Sequence, residues 1–63
     1  MKIDNTDIKI LKELQLDSRL SIRELSKRVN LSPPSVADRI RKFEDTGIIQ
    51  GYTIKINEDA LDF

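Results

Sequence analysis

Two prolines stand side by side near the middle of the chain, at Pro33 and Pro34, directly after Asn30-Leu31-Ser32. No helix runs through such a stretch. Proline has no amide hydrogen to donate, and its ring collides with the preceding turn. In a first helical turn, however, the amides have no intrahelical partner, so proline costs nothing there and its φ is already set. The five residues therefore read as an ordered stop and restart. Asn30 enters the left-handed region at low cost and ends one helix. Leu31 is the apolar residue of the turn. Ser32 caps the next helix, with Pro33 at its first position.

The pattern on either side agrees. Ser21-Ile22-Arg23-Glu24 has the form of a capping box, with the Ser21 hydroxyl on the amide of Glu24 and the Glu24 carboxylate reaching back. Ile22, Leu25 and Val29 then make the buried stripe of a helix of about two turns, with Ser26 small enough on the inner side for close approach. After Ser32, Val36, Ile40 and Phe43 recur at helical spacing until Gly47, a left-handed stop. Upstream, Asp4 caps a first helix, Asp7 suits its first turn, and Ile8, Leu11 and Leu14 form its stripe, widened by Ile10. Asp17-Ser18-Arg19 is a loop. Beyond Gly47 the period changes to two: Tyr52, Ile54 and Ile56 alternate with Thr53, Lys55 and Asn57. That alternation predicts either a hairpin turning at Gln50-Gly51 or a single bent strand. One further helical turn fits between Glu58 and Phe63. The expected fold class is mainly α: a three-helix, winged-type helix-turn-helix followed by a short β-strand or hairpin.

Composition narrows the function. A chain of 63 residues makes one small domain, whose core supplies roughly 3–5 kcal/mol. It contains no cysteine and no histidine, which removes disulfides, thiol nucleophiles, the usual triads and transition-metal sites. No apolar run is long enough to span a membrane, and no apolar segment after Met1-Lys2 marks a secretory signal. The only aromatic residues are Phe43, Tyr52 and Phe63, too few for a base-stacking platform. Glu58, Asp59 and Asp62 lack the spacing of a cation loop and read as a solvated acidic end. The chain is expected to be no enzyme, with no metal and no cofactor.

The net charge is zero, but its distribution is uneven. Residues 19–42 hold seven cationic side chains against two acidic ones, while residues 43–63 hold one against five. A basic middle between acidic ends suggests one positive face and a polyanion partner. Two short helices joined by a tight turn describe a helix-turn-helix, whose second member enters the major groove of DNA. The candidate recognition helix is 33–46. On its wheel Val36, Ile40 and Phe43 point inward, and Ser35, Asp38, Arg39 and Lys42 share an outer flank. Ser35, Asp38 and Arg39 have the reach and chemistry to read base edges, arginine on guanine and aspartate on cytosine. Pro34 and Ala37 offer apolar contact to a thymine methyl. Arg41 and Lys42 suit phosphates. The amide ends at Ser21 and Ser32 are anion sites, with Arg23 beside the first. Each has a plainer alternative: Arg39 paired with Asp38 or Glu44, Arg41 and Lys42 as surface solubilisers, Ser21 and Ser32 as caps only. The competing function is a non-enzymatic protein-interaction module on the same tri-helical scaffold, a reading that zero net charge favours.

Taken in order, Asp4-x-x-Asp7-x-x-Ile10-Leu11, Asp17-Ser18-Arg19, Leu25-Ser26, Asn30-Leu31-Ser32 and Arg39-Ile40-x-x-Phe43-Glu44-x-x-Gly47-Ile48-Ile49-x-Gly51-Tyr52 resemble the DNA-binding half of the Lrp/AsnC, or feast/famine, transcription regulators. The resemblance covers nearly the whole chain. It departs at Ser26 and Asn30, where the family usually has Ala and Gly. It implies sequence-specific binding of double-stranded DNA for transcription regulation, in a bacterial or archaeal cytoplasm, as a homodimer or higher oligomer. It places the helix-turn-helix at about 23–42 within a DNA-binding domain over 1–50, and a strand and linker over 51–63. Family members continue into a ligand-binding domain that senses amino acids. This chain ends near the expected linker, so it is expected to lack that domain, and no amino-acid effector is expected for it alone. It is either a piece of a longer protein or a stand-alone DNA binder. An apolar face on an open edge at Tyr52, Ile54 and Ile56 invites pairing with a second copy. Such pairing sets two recognition helices one DNA turn apart, roughly 34 Å.

Overall fold

The computed structural model describes residues 2–61; Asp62 of the acidic end and Phe63 lie outside the described residues. The described chain forms α1 (Asn5–Leu16), α2 (Ile22–Val29), α3 (Pro33–Asp45) and a single 3-10 turn at Glu58–Ala60.

The caps set the helix starts. At α1 the box is reciprocal: the Asp4 carboxylate accepts the Asp7 amide at 2.8 Å, and the Asp7 carboxylate accepts the Asp4 amide at 3.1 Å. At α2 the Ser21 hydroxyl accepts the Glu24 amide at 3.1 Å, but the expected return bond from the Ser21 amide to the Glu24 carboxylate is not formed, so only half of that box is present. At α3 the Ser32 hydroxyl accepts the Ser35 amide at 3.4 Å and donates to the Ser35 hydroxyl at 2.9 Å. The helix ends are equally local. Asn30 takes φ 58° and ψ 47°, and its amide and that of Leu31 both reach the carbonyl of Ser26. Gly47 takes φ 79°, and the Ile49 amide closes back on the carbonyl of Phe43 at 3.0 Å.

Each helix gives two side chains to one core: Ile10 and Leu14, Leu25 and Val29, Val36 and Phe43. Phe43, Ile10, Leu25 and Val36 are fully buried, each contributing about 1.5–3 kcal/mol over exposure. Leu11, Leu20, Ile22, Leu31, Ile40 and Ile49 close the rim of this core. Ser26 is buried, and its hydroxyl donates to the carbonyl of Arg23 at 2.8 Å. The small side chain therefore sits inside without an unmet polar atom. α2 packs on both α1 and α3.

Two further expectations change. Ile8 was expected in the α1 stripe but is 42% exposed. The inner face runs through Asp7, Ile10 and Leu14, and Ile8 falls on its flank, about a quarter-turn from Asp7. The second correction is larger. The expected strand or hairpin after Gly47 is not formed: residues 51–57 have no regular secondary structure. A strand exists only within a ladder, and among the described residues no second extended segment lies beside this one. Tyr52, Ile54 and Ile56 are consequently exposed, by 51%, 74% and 57%. The further turn expected over Glu58 to Phe63 appears as the 3-10 turn at Glu58–Ala60, capped by the Asn57 side chain on the Asp59 amide.

Candidate nucleic-acid interface

α2, the turn over 30–32 and α3 present the frame of a helix-turn-helix. Val36 and Phe43 anchor α3 in the core, which leaves Pro34, Ser35, Ala37 and Arg41 exposed on its outer side. The first turn of α3 thus offers a hydroxyl, a proline ring and a methyl group within four residues. Side chains this short let a helix sit deep in a groove and meet base edges or a thymine methyl. Ser35 is already half-satisfied by Ser32, so its hydroxyl is held in one place.

The charged residues are less free than their number suggests. Asp38 takes Arg41 Nη2 at 2.7 Å and Lys42 Nζ at 3.2 Å. The hydrogen bond from Arg41, then that from Lys42, holds the Asp38 carboxyl below the ordinary range. Asp38 therefore stays ionised and offsets one of the two cations expected to meet phosphate. Arg28 pairs with Glu13 at 2.8 Å, fastening α2 to α1.

Arg39 sits otherwise than either sequence expectation. It pairs with neither Asp38 nor Glu44. Its Nη1 lies 2.7 Å from Asp7 Oδ1, and 2.9 and 3.0 Å from the two oxygens of Asp4. Both carboxylates belong to the capping box of α1. Base contact through Nη1 of Arg39 requires these bonds to break.

Ser21, Arg23 and Ser32 are exposed at the two helix starts where anion contact was expected. Arg19, Arg23 and Lys27 make no ion pair among the described residues. Arg23 and Lys27 lie four apart on one face of α2, the helix that crosses the DNA backbone in a helix-turn-helix. Arg19 and Lys27 were not singled out from the sequence. The signal was present in the basic run over 19–42, but only the structure separates paired cations from unpaired ones.

Among the described residues no cluster of acidic side chains is arranged to hold a metal ion. Tyr52 donates to the Glu44 carboxylate at 3.1 Å, which lays the start of the irregular segment against α3. Partial burial, with the Glu44 hydrogen bond and charge, raises its phenol above the ordinary value.

Comparison with known families decides the class: the winged helix-turn-helix DNA-binding family matches residues 3–50. The chain belongs to that family. This winged helix-turn-helix domain is of the Lrp/AsnC type, as the ordered residues from Asp4 to Tyr52 implied. It is 49% identical over 61 residues to the HTH-type transcriptional regulator LrpC of Bacillus subtilis (strain 168), covering 97% of this chain and 42% of the relative. It is 52% identical over 60 residues to the leucine-responsive regulatory protein of Escherichia coli (strain K12), covering 95% of this chain and 37% of the relative. Its fold superimposes with a TM-score of 0.91 on the transcriptional regulator NMB0573 of Neisseria meningitidis, solved in complex with L-Met, at 42% identity over 94% of this chain and 38% of that one. The winged helix-turn-helix domain therefore spans about two fifths of the length of the relatives it matches.

Proposed function

We propose that this winged helix-turn-helix domain binds double-stranded DNA sequence-specifically to regulate transcription, with α3 in the major groove. The observation that carries the reading is the first turn and a half of α3. Its short outward side chains, Pro34, Ser35 and Ala37, sit on a helix anchored by Val36 and Phe43. On this reading Pro34, Ser35 and Asp38 meet base edges. Arg41 and Lys42 meet phosphates beyond them. Ser21, Arg23 and Ser32, with Arg19 and Lys27, meet phosphates at the helix starts.

Two copies act together. Tyr52, Ile54 and Ile56 are exposed, and residues 52–56 make no backbone hydrogen bond among the described residues; pairing with the same segment of a partner would satisfy both, which supports a homodimer. The strand that this chain does not form alone is then a property of the pair. The setting is the cytoplasm of a bacterium or archaeon, a reading supported by the bacterial sources of the regulators it resembles. We assign the domain no catalysis and no amino-acid effector of its own.

Reversing two charges tests the placement of the interface. Arg41→Glu with Lys42→Glu should abolish DNA binding while the helical circular-dichroism signal stays intact. A folded double variant with unchanged DNA affinity overturns the assignment of α3.

A further inference from the structure

Arg39 stands in the middle of the proposed recognition helix, yet its guanidinium is tied to the start of α1. One nitrogen bonds both carboxylates of the α1 capping box, Asp7 at 2.7 Å and Asp4 at 2.9 Å. The Asp7 side chain is 5% exposed, that of Arg39 29% and that of Asp4 58%. The linkage thus runs from solvent inward, and its inner end is a carboxylate that no DNA can touch. The two carboxylates also fix each other, since each accepts the other's backbone amide. The start of α1 and the centre of α3 are therefore held by directional, charge-assisted bonds and by more than apolar contact. Apolar packing alone allows a helix to slide or roll, because it has no direction. Charge-assisted bonds from one nitrogen to two carboxylates have a direction and resist that motion.

We infer that Arg39 is a positioning residue: through Asp4 and Asp7 it sets the angle at which α3 presents Pro34, Ser35 and Asp38 to the DNA, and it reads no base itself. The inference rests on the proposed DNA reading and deepens it. The reason such a device matters is geometric. Base-edge hydrogen bonds require placement to within about 0.5 Å and 10–20°, a tolerance that a supporting set of bonds must supply. Phosphate contacts through long cationic side chains tolerate far more. A loosened α3 accordingly loses discrimination before it loses attraction.

The test compares the unmodified chain with Asp7→Asn, Arg39→Gln, Arg39→Lys and the Asp7→Asn/Arg39→Gln pair. Affinity is measured for a duplex selected by the unmodified protein and for a scrambled duplex, at a temperature where circular dichroism shows each variant fully folded. The expected result is that Asp7→Asn and Arg39→Gln each weaken binding to the selected duplex by about tenfold, the equivalent of one mismatched base pair, with little change on the scrambled duplex. The double variant should be no worse than either single one, because both remove the same linkage. Arg39→Lys should recover part of the loss. If Asp7→Asn does not fold, Asp4→Ser replaces it: the hydroxyl keeps the cap and removes only the carboxylate from the linkage.

Three outcomes overturn the inference. Normal or tighter binding by folded Asp7→Asn, beside weak binding by Arg39→Gln, means that Arg39 reads DNA directly. Equal loss on both duplexes, or no loss in either folded variant, means that the linkage serves stability alone. An unmodified chain that binds neither duplex defeats the DNA reading itself and is distinguishable at once from a failure of positioning.

Discussion

Asp38 Oδ1 lies 2.7 Å from Arg41 Nη2, one turn along α3, and the second Asp38 oxygen reaches Lys42. The pairing places a negative charge among the cations proposed to meet phosphate. Asp38→Asn removes it and frees both partners while keeping a side chain that bonds bases. The variant should bind scrambled duplex about threefold tighter at moderate salt, in line with the worth of exposed ion pairs. The ratio of selected to scrambled affinity should fall. Fluorescence anisotropy on the two duplexes measures both.

Asn30 takes φ 58° at the end of α2, where a side chain with a β-carbon is strained. Asn30→Ala should destabilise the domain by about 1 kcal/mol, the cost of the left-handed region for an ordinary residue. Asn30→Gly should hold stability within about 0.5 kcal/mol, because relief of strain is offset by a more flexible unfolded chain. Urea titration followed by circular dichroism separates the two variants.

Phe43 is fully buried at the meeting of the three helices. Phe43→Ala should cost about 3–5 kcal/mol, as much as a core of this size supplies. Loss of the cooperative thermal transition is the expected outcome. A retained transition near the original Tm contradicts the placement of the core.

Asp4 is held below the ordinary carboxylate value by the Asp7 amide, and by the Arg39 hydrogen bond and charge. A carboxyl lowered in the folded state adds stability that is fully present above its unfolded value of about 3.9 and is lost as pH falls through the lower folded one. Asp38 shifts in the same direction. The Tm should therefore be flat between about pH 5 and 8 with respect to these groups and should drop below about pH 4. Asp4→Ser should lower the Tm at neutral pH, and its difference from the unmodified chain should narrow in acid. A constant difference across that range contradicts the assignment of Asp4.

Local signals were legible because their causes lie within a few residues. Asp4 with Asp7, Ser21 with Glu24, Ser32 with Ser35, and the left-handed Asn30 and Gly47 all act over two to four positions. The sequence therefore determines where helices start and stop almost without reference to the rest of the fold. The partners of the charges were not legible. Arg39 meets Asp7 across 32 residues, and Arg28 meets Glu13 across 15. Those contacts depend on how α1 crosses its neighbours, which no spacing reveals. Ile8 shows a smaller case of the same limit: a broad apolar stripe does not tell which edge faces the core. The segment from Tyr52 to Ile56 carries a real period of two, but a period describes faces, and a strand also needs a neighbour. The candidate interface divides likewise. Pro34, Ser35 and Ala37 followed from the helical wheel, whereas Arg19 and Lys27 stood out only after the paired cations were known.

Sequence-specific DNA binding is read out by selection from a random pool of duplexes across a salt series. Log affinity should fall steeply with log salt, and the retained duplexes should share a palindromic motif whose half-sites lie about one helical turn apart. No retention of any duplex at low salt contradicts DNA binding and brings forward a protein-binding role for the same scaffold.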